Sequence, residues 1–349
     1  MEGRCYCFRI IWLVVIIIGM GFMFALVEAS DGDADPMYRT CVEECEKTGT
    51  LGDISIPNCG TSTDGISNLS WYMQEPLYIS WKEWNCRSDF RYYCMIRREQ
   101  ELRKLGLRPV KYHGKWPFIR ISAFQEPVSA ALSAMNLFVQ FNGWLTFFFL
   151  LYYKLPLRPQ TSRTYYEYTG LWHIYGFLSM NAWFWSAIFH SRDFELSEKL
   201  HCSSTVALIG YSLILTILRT FSVKNGASRV MVSAPLLAFL TTHILYLNFC
   251  ELDYGLNMKV SVAMGVAQIL LWGAWAFVTH HPSSFKLCTV LIGGSLGMLL
   301  DYYDFPPYKG YFDAHALWHA ITIPLTFLWW SFIKDDAEFR TTTITKKMM

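Results

Sequence analysis

The stretch Asp313-Ala-His315-Ala-Leu-Trp-His319-Ala-Ile-Thr-Ile-Pro-Leu-Thr-Phe-Leu-Trp-Trp330 joins two histidines to a long apolar run. On a helix, residues four apart lie on one face, so the imidazoles of His315 and His319 can reach the same ion. Zinc binds neutral histidine nitrogens and takes three or four ligands, so the pair predicts an incomplete metal site. Two polar residues at the start of a helix are the alternative interpretation.

The composition is typical of an integral membrane protein. Of the 349 residues, 53% are hydrophobic and 17% aromatic, and the mean hydropathy is +0.22. A formal net charge of +2 gives no sign of a nucleic-acid-binding surface. Seven apolar stretches of membrane-spanning length predict an all-α fold, a bundle of seven transmembrane helices. They are residues 129–153, 171–189, 203–222, 230–249, 260–278, 287–303 and 316–333.

The N-terminal part differs in composition from the spans. Residues 1–29 have the charges, apolar core and small-residue end of a signal peptide cleaved near Ala29, with an uncleaved anchor as the alternative. Residues 30–128 are polar and predict a small, loop-rich lumenal domain with disulfides and a glycosylation sequon at Asn68. Its cysteines are Cys41, Cys45, Cys59, Cys86 and Cys94.

Charge patterning predicts the orientation of the spans. If the N-terminal domain is lumenal, the cytosolic loops and tail carry ten Lys and Arg residues against four on the lumenal side. The spans 129–333 are then followed by a cytosolic tail, residues 334–349, that ends in Lys346-Lys347-Met-Met. Two lysines at those positions predict a dilysine signal for retrieval to the endoplasmic reticulum by the COPI coat. Arg219, near a cytosolic span end, is expected to snorkel to the interface.

This orientation brings chemically active residues to one level. The second span ends at His190 with Ser186 one turn before it, and the seventh begins with His315 and His319. Three histidines with an open fourth position are typical of catalytic zinc, which makes bound water a nucleophile. Asp304, after the sixth span, is a candidate proton acceptor, and Ser186 a candidate to hold the water or a substrate oxygen.

Several motifs are similar to those of one family. They are Tyr112-His-Gly-Lys-Trp-Pro-Phe118 with Gln125-Glu-Pro127, Trp185-Ser-Ala-Ile-Phe-His-Ser-Arg-Asp193, Leu252-Asp-Tyr-Gly-Leu-Asn257, Asp304-Phe-Pro-Pro-Tyr308 and Asp313-Ala-His-Ala-Leu-Trp-His319. Together they cover nearly the whole chain after the signal. The chain resembles the Per1-like family, known in animals as post-GPI attachment to proteins factor three, within the CREST superfamily of seven-span hydrolases.

The resemblance implies a fold and a reaction. The fold is a seven-helix bundle with a lumenal cysteine-rich domain, in the membrane of the Golgi or the endoplasmic reticulum. The reaction removes the unsaturated sn-2 acyl chain from the lipid of GPI-anchored proteins, which is phospholipase A2 chemistry. By position, His190, His315 and His319 would hold zinc, and Ser186 would lie beside the water.

Two positions depart from the family pattern. His201 follows Glu198-Lys-Leu200, where the superfamily has an aspartate, so an imidazole that can act as a base or as a fourth ligand replaces a carboxylate. Phe90 stands where the family has its sixth lumenal cysteine, which predicts one unpaired thiol. The alternatives to a GPI-lipid hydrolase are a catalytically impaired copy that binds lipid or GPI-anchored protein, a ceramidase-like amidase, and a receptor.

Overall fold

The computed structural model describes residues 31–51, 54–55, 84, 86–250 and 253–348. Those residues form two compact units, a helical unit (128–304 and 314–348) and a cysteine-bearing unit (31–127 with 305–313). The predictions of a signal peptide at residues 1–29, of a glycan at Asn68 and of a disulfide at Cys59 lie outside the described residues. The side chain of Cys86 is outside them too.

The helical unit is built from long helices that follow one another along the chain. They are α4 (Pro127–Phe149, continued by the π-helical turn Leu150–Lys154), α5 (Thr169–Ser191), α6 (Glu195–Thr220), α7 (Gly226–Phe249), α8 (Tyr254–Thr279), α9 (Ser284–Tyr303) and α10 (Ala314–Met348). Each helix corresponds to one of the predicted spans, with the first span ending in the π-helical turn and the third predicted to end two residues beyond Thr220. The prediction of an all-α membrane fold is therefore confirmed at the level of helix content and order.

Five of these helices are long and apolar enough to cross a membrane, namely α4, α6, α7, α8 and α10. The apolar part of α9, Ser284–Leu300, is shorter, and α5 does not reach the same apolar content. Helix α5 also buries polar residues, among them Ser179, Ser186 and His190. Five membrane-capable helices are thus established, and crossing by α5 and α9 stays a prediction.

Helix α10 runs through Met348, fifteen residues beyond the predicted end of the seventh span at 333. No helix-breaking residue interrupts the tail, and Ala337 and Thr341 are buried. The tail therefore packs as part of the helical unit instead of leaving it at Ile333. Lys346 and Lys347, at its end, are exposed.

A seam of polar side chains joins α4 to α10 inside the otherwise apolar core. Ser133, Asn136 and Gln140 are all buried on one face of α4, at spacings of three and four residues. The Gln140 side-chain oxygen accepts a hydrogen bond from Trp330 Nε1 at 2.7 Å. Gly143 permits this approach, because a Cβ there would overlap the Trp330 indole. Along this seam, hydrogen bonds between polar side chains fix how α4 and α10 are aligned, and hydrophobicity alone would not.

The expectation that Arg219 snorkels is wrong. Its side chain is buried and forms a two-pronged ion pair with Asp336 of α10, with Nε to Oδ2 at 2.9 Å. The Tyr166 hydroxyl donates to the same carboxylate at 2.6 Å. The guanidinium also faces the Trp275 ring at 4.8 Å. A carboxylate from another helix satisfies the arginine internally, so it need not reach the interface.

The cysteine-bearing unit is organised around two helices. Its elements are α1 (Asp31–Ala34), α2 (Pro36–Thr48), a two-residue hairpin of β1 (Thr50–Leu51) and β2 (Ile54–Ser55), and α3 (Cys86–Lys104). A disulfide joins Cys41 to Cys94, and Asp35 caps α2 while pairing with Arg98 of α3 at 2.8 Å. Burial opposes ionisation of Asp35, but its hydrogen bonds hold the carboxyl pKa below the ordinary value. The two helices are therefore fixed covalently and electrostatically.

Cys45 is a buried free thiol, and its Sγ lies 3.9 Å from the Sγ of Cys94. The contacts 35 with 98, 41 with 94 and 46 with 87 show that α2 and α3 run antiparallel. That register places position 90 opposite Cys45, and Phe90 packs in the same buried cluster. Phe90 therefore occupies the place from which a cysteine would reach Cys45. Burial raises the pKa of the Cys45 thiol.

A Phe90→Cys variant is expected to form a second bond between the helices, to Cys45. Both variants are unfolded without reducing agent and then labelled at free thiols. In Phe90→Cys, neither the new cysteine nor Cys45 should be labelled, whereas in Phe90→Ser the label should modify Cys45. The crosslinked variant should exceed Phe90→Ser in free energy of unfolding by about 2–4 kcal/mol, the usual value for a disulfide. Two free thiols in the Phe90→Cys variant would show that positions 45 and 90 do not face each other.

Candidate metal centre

Two helices supply the histidines of the candidate centre. His190 lies in the last turn of α5, which ends at Ser191, and His315 and His319 occupy the first two turns of α10. The i, i+4 spacing places the α10 pair on one face, with Nε2 of His319 at 3.0 Å from Nε2 of His315. The His190 ring centre lies 5.1 Å from that of His315 and 5.0 Å from that of His319.

The three imidazoles fit the requirements of a metal ion. One nitrogen from each of the three residues lies within 4.8 Å of the others. Nitrogens bound to a tetrahedral zinc at 2.0–2.1 Å are roughly 3.3 Å apart, close to the 3.0 Å between His315 and His319. Uncharged imidazole is the ligand type that zinc accepts in a buried setting. The donor set and its spacing therefore suit zinc with one coordination position left open.

The three histidines differ in their exposure to solvent. His190 and His319 are 2% and 3% exposed, whereas His315 is only partly buried. The Trp183 indole packs nearly perpendicular to the His319 ring, with 5.2 Å between ring centres. Of the three histidines, His315 is therefore the one nearest solvent, while His190 and His319 are enclosed.

Ser186 reaches the histidines through a residue that lies outside the sequence motifs described above. Ser133 of α4 contacts Ser186 Oγ at 3.0 Å and His319 Nδ1 at 2.9 Å, and its own side chain is fully buried. The missed signal is the row of polar residues at helical spacing in α4. Intramembrane polar residues on one face indicate a functional or packing role, which the apolar length of the first span does not reveal.

The backbone of His319 is held by the same seam. Asn136 Nδ2 donates to the His319 carbonyl at 2.8 Å, and the Thr322 hydroxyl donates to that carbonyl at 2.8 Å. Thr322 also contacts Asn136 Oδ1 at 3.2 Å. Pro324, which has no N–H, follows within the helix and interrupts its backbone hydrogen bonding. Helix α4 thus fixes both the ring and the main chain of His319.

The two predicted proton acceptors, His201 and Asp304, lie on different helices. The His201 ring stacks on Phe189, with 4.9 Å between ring centres, and lies 5.9 Å from the His190 ring. It is therefore beside the centre but outside the three-nitrogen set. Asp304 is the C-cap of α9, and among the described residues the mutually close metal-binding atoms at this centre include no carboxylate. The side chain of Asp301 lies outside the described part.

Comparison with known proteins agrees with the motifs. The model of the Per1-like family matches residues 76–337. The chain is 37% identical over 324 residues to the GPI-specific phospholipase A2-like PGAP3 of Xenopus tropicalis, covering 91% of this chain and 94% of the relative. It is 36% identical to the human protein of that name, covering 90% and 92%.

A more distant relative carries a second name. The post-GPI attachment to proteins factor 3 of Drosophila melanogaster is 31% identical over 327 residues, covering 92% of this chain and 94% of the relative. No solved structure matches the chain. The family model covers most of the sequence, and the relatives match over nearly their full length. This chain therefore belongs to the Per1-like family.

Proposed function

We propose that the chain is a zinc-dependent acyl-ester hydrolase that removes the unsaturated sn-2 chain from the lipid of GPI-anchored proteins. The observation that carries this proposal is the convergence of His190, His315 and His319, whose nitrogens lie within 4.8 Å of one another. Ser133 links His319 to the Ser186 hydroxyl. The names of the relatives, GPI-specific phospholipase A2-like PGAP3, supply the substrate class and the type of bond.

The residues have distinct roles in this proposal. Zinc, when bound, would lower the pKa of water toward 7 and polarise the ester carbonyl. His190, His315 and His319 would hold the ion and leave its fourth position to the exposed side. Ser186 would orient the water or a substrate oxygen. His201 or Asp304 would accept a proton, and of these His201 has its ring next to His190.

The proposed setting is a secretory-pathway membrane. The cysteine-bearing unit would be lumenal, all seven long helices would span, and the centre would lie near the lumenal leaflet, where the acyl-glycerol linkage lies. The exposed Lys346 and Lys347 would bind the COPI coat and return the protein from the Golgi to the endoplasmic reticulum. The partners would be GPI-anchored proteins and their lipid.

One observation favours a second candidate, a copy that binds GPI lipid without turnover. His201 replaces the expected carboxylate next to His190. An imidazole carries no negative charge to stabilise a proton leaving water, so the rate of hydrolysis would fall while lipid binding persisted. The two candidates therefore differ in turnover and not in fold. The ceramidase-like alternative lacks a comparable observation.

The test is to express the chain in cells that lack GPI sn-2 deacylation and to analyse GPI acyl chains by mass spectrometry. We expect the wild-type chain to shift sn-2 chains from unsaturated to saturated, relative to empty vector. His201→Asp at equal expression should increase the shift if the imidazole limits turnover. Unsaturated sn-2 chains with both proteins would contradict the hydrolase and favour the binding copy.

A further inference from the structure

Ser133 lies where three polar groups of the candidate centre meet. It is on α4, its side chain is fully buried, and it is not part of the serine-and-histidine motif of α5. Its Oγ lies 2.8 Å from the Ser129 carbonyl oxygen, 3.0 Å from Ser186 Oγ and 2.9 Å from His319 Nδ1. Three contacts are the most that one hydroxyl can make, one as donor and two as acceptor.

The carbonyl decides the direction of all three hydrogen bonds. A carbonyl oxygen only accepts, so the single Ser133 proton points to Ser129. The other two contacts must then be accepted by Ser133. Ser186 therefore donates its hydroxyl proton to Ser133, and His319 donates from Nδ1–H. Every proton and lone pair of the Ser133 hydroxyl has a partner in this arrangement.

The direction of these hydrogen bonds determines which nitrogen of His319 carries the proton and whether Ser186 can accept a further hydrogen bond. With its proton on Nδ1, neutral His319 presents the lone pair of Nε2, the nitrogen that lies 3.0 Å from His315 Nε2. Because the Ser186 hydroxyl donates its proton in the hydrogen bond to Ser133, its oxygen presents lone pairs and can accept a hydrogen bond from water or a substrate hydroxyl. Ser186 is then an acceptor that orients its partner and not a nucleophile that transfers its proton to His319.

We propose that Ser133 is a positioning residue of the metal centre, which holds His319 in the tautomer that binds metal through Nε2 and turns Ser186 into an acceptor. This inference rests on the proposed function, since it assumes that the three histidines bind zinc. Partners that orient a metal-binding histidine through its other nitrogen usually change metal affinity or activity by about 10–100-fold when they are lost. Ser133 would be such a partner, supplied by a different helix.

The test compares Ser133→Thr with Ser133→Val in the detergent-purified full-length protein. The two side chains have the same shape and differ in the hydroxyl, which in threonine can still bond the carbonyl four residues earlier. Zinc affinity is measured by competition with a chelator, and thermal unfolding reports on folding. Ser295→Ala is the matched control, since this buried serine makes the same kind of bond, to Leu291 O at 2.7 Å, in another helix.

We expect Ser133→Val to bind zinc about 10–100-fold more weakly than Ser133→Thr, and Ser295→Ala to match the wild type. Ser186→Ala should keep wild-type zinc affinity while GPI deacylation falls, because it leaves the hydrogen bond from His319 Nδ1–H to Ser133 Oγ intact. Equal zinc affinity of the Thr and Val variants would overturn the role of Ser133 alone. A folded wild-type protein that takes up no zinc would overturn the proposed metal centre, and this inference with it.

Discussion

His319→Ala is expected to abolish zinc binding and GPI deacylation together. The substitution removes an enclosed histidine of the proposed site, whose ring and carbonyl are both held by α4. Two ligands remain, and one of them, His315, is only partly buried. The loss of zinc affinity should exceed the 10–100-fold that is typical of outer partners, because a direct ligand is lost. Metal content of the purified protein and GPI acyl chains in complemented cells are the two measurements.

His173→Ala is the control for this substitution. His173 is on α5, the helix of His190, and its Nδ1 accepts a hydrogen bond from Trp144 Nε1 at 3.1 Å. Its removal deletes a partly buried imidazole from the same helix without touching the three-nitrogen set. We expect normal zinc content and deacylation in this variant. Stoichiometric zinc retained by a folded His319→Ala protein would contradict the proposed ligand set.

Asp336→Ala is expected to cause the largest loss of stability. The substitution leaves the Arg219 guanidinium buried without its carboxylate and removes the acceptor of the Tyr166 hydroxyl. His281 Nε2, 3.6 Å from the same carboxylate, loses its neighbour as well. Removing one member of a buried ion pair costs about 3–5 kcal/mol. Unfolding of the detergent-purified protein, followed by heat or denaturant, measures the change.

The adjacent Asp335 provides a matched control. It pairs with Lys286 at 2.6 Å, but its side chain is 29% exposed and that of Lys286 is 35% exposed. Solvent screens this pair, so Asp335→Ala should cost no more than about 1 kcal/mol. Arg219→Met combined with Asp336→Leu should recover part of the loss, since the unpaired charge is gone. Equal unfolding free energies for Asp335→Ala and Asp336→Ala would show that the buried pair does not stabilise the fold.

The three histidines of the proposed metal site are predictable from the sequence to different degrees. His315 and His319 are four residues apart, and helix geometry alone brings their nitrogens together. His190 was added by a topology argument, and the structure places its ring about 5 Å from both partners. Ser133 belongs to a row of polar residues at helical spacing in α4, but the sequence does not show which helix that row faces.

In the cysteine-bearing unit, too, the sequence predicts one part of the arrangement and the packing of the helices decides the rest. The odd number of cysteines and Phe90 predicted an unpaired thiol, but spacing could not say which cysteine it would be. The antiparallel register of α2 and α3 identifies Cys45 as a free thiol opposite Phe90, with Cys41 bonded to Cys94. Disulfide connectivity depends on which helix faces meet, and that is a tertiary property.

The sequence by itself determined the membrane-helical class, the order of the long helices and the pairing of His315 with His319. Apolar length and helical periodicity are local, so each stretch carries that information alone. The tertiary structure alone decided that α4 supplies Ser133 to His319 and that Asp336 neutralises Arg219. Spans of similar hydropathy do not specify their neighbours by hydrophobicity. The few polar side chains that must satisfy one another across the helices provide that information once the helices are packed.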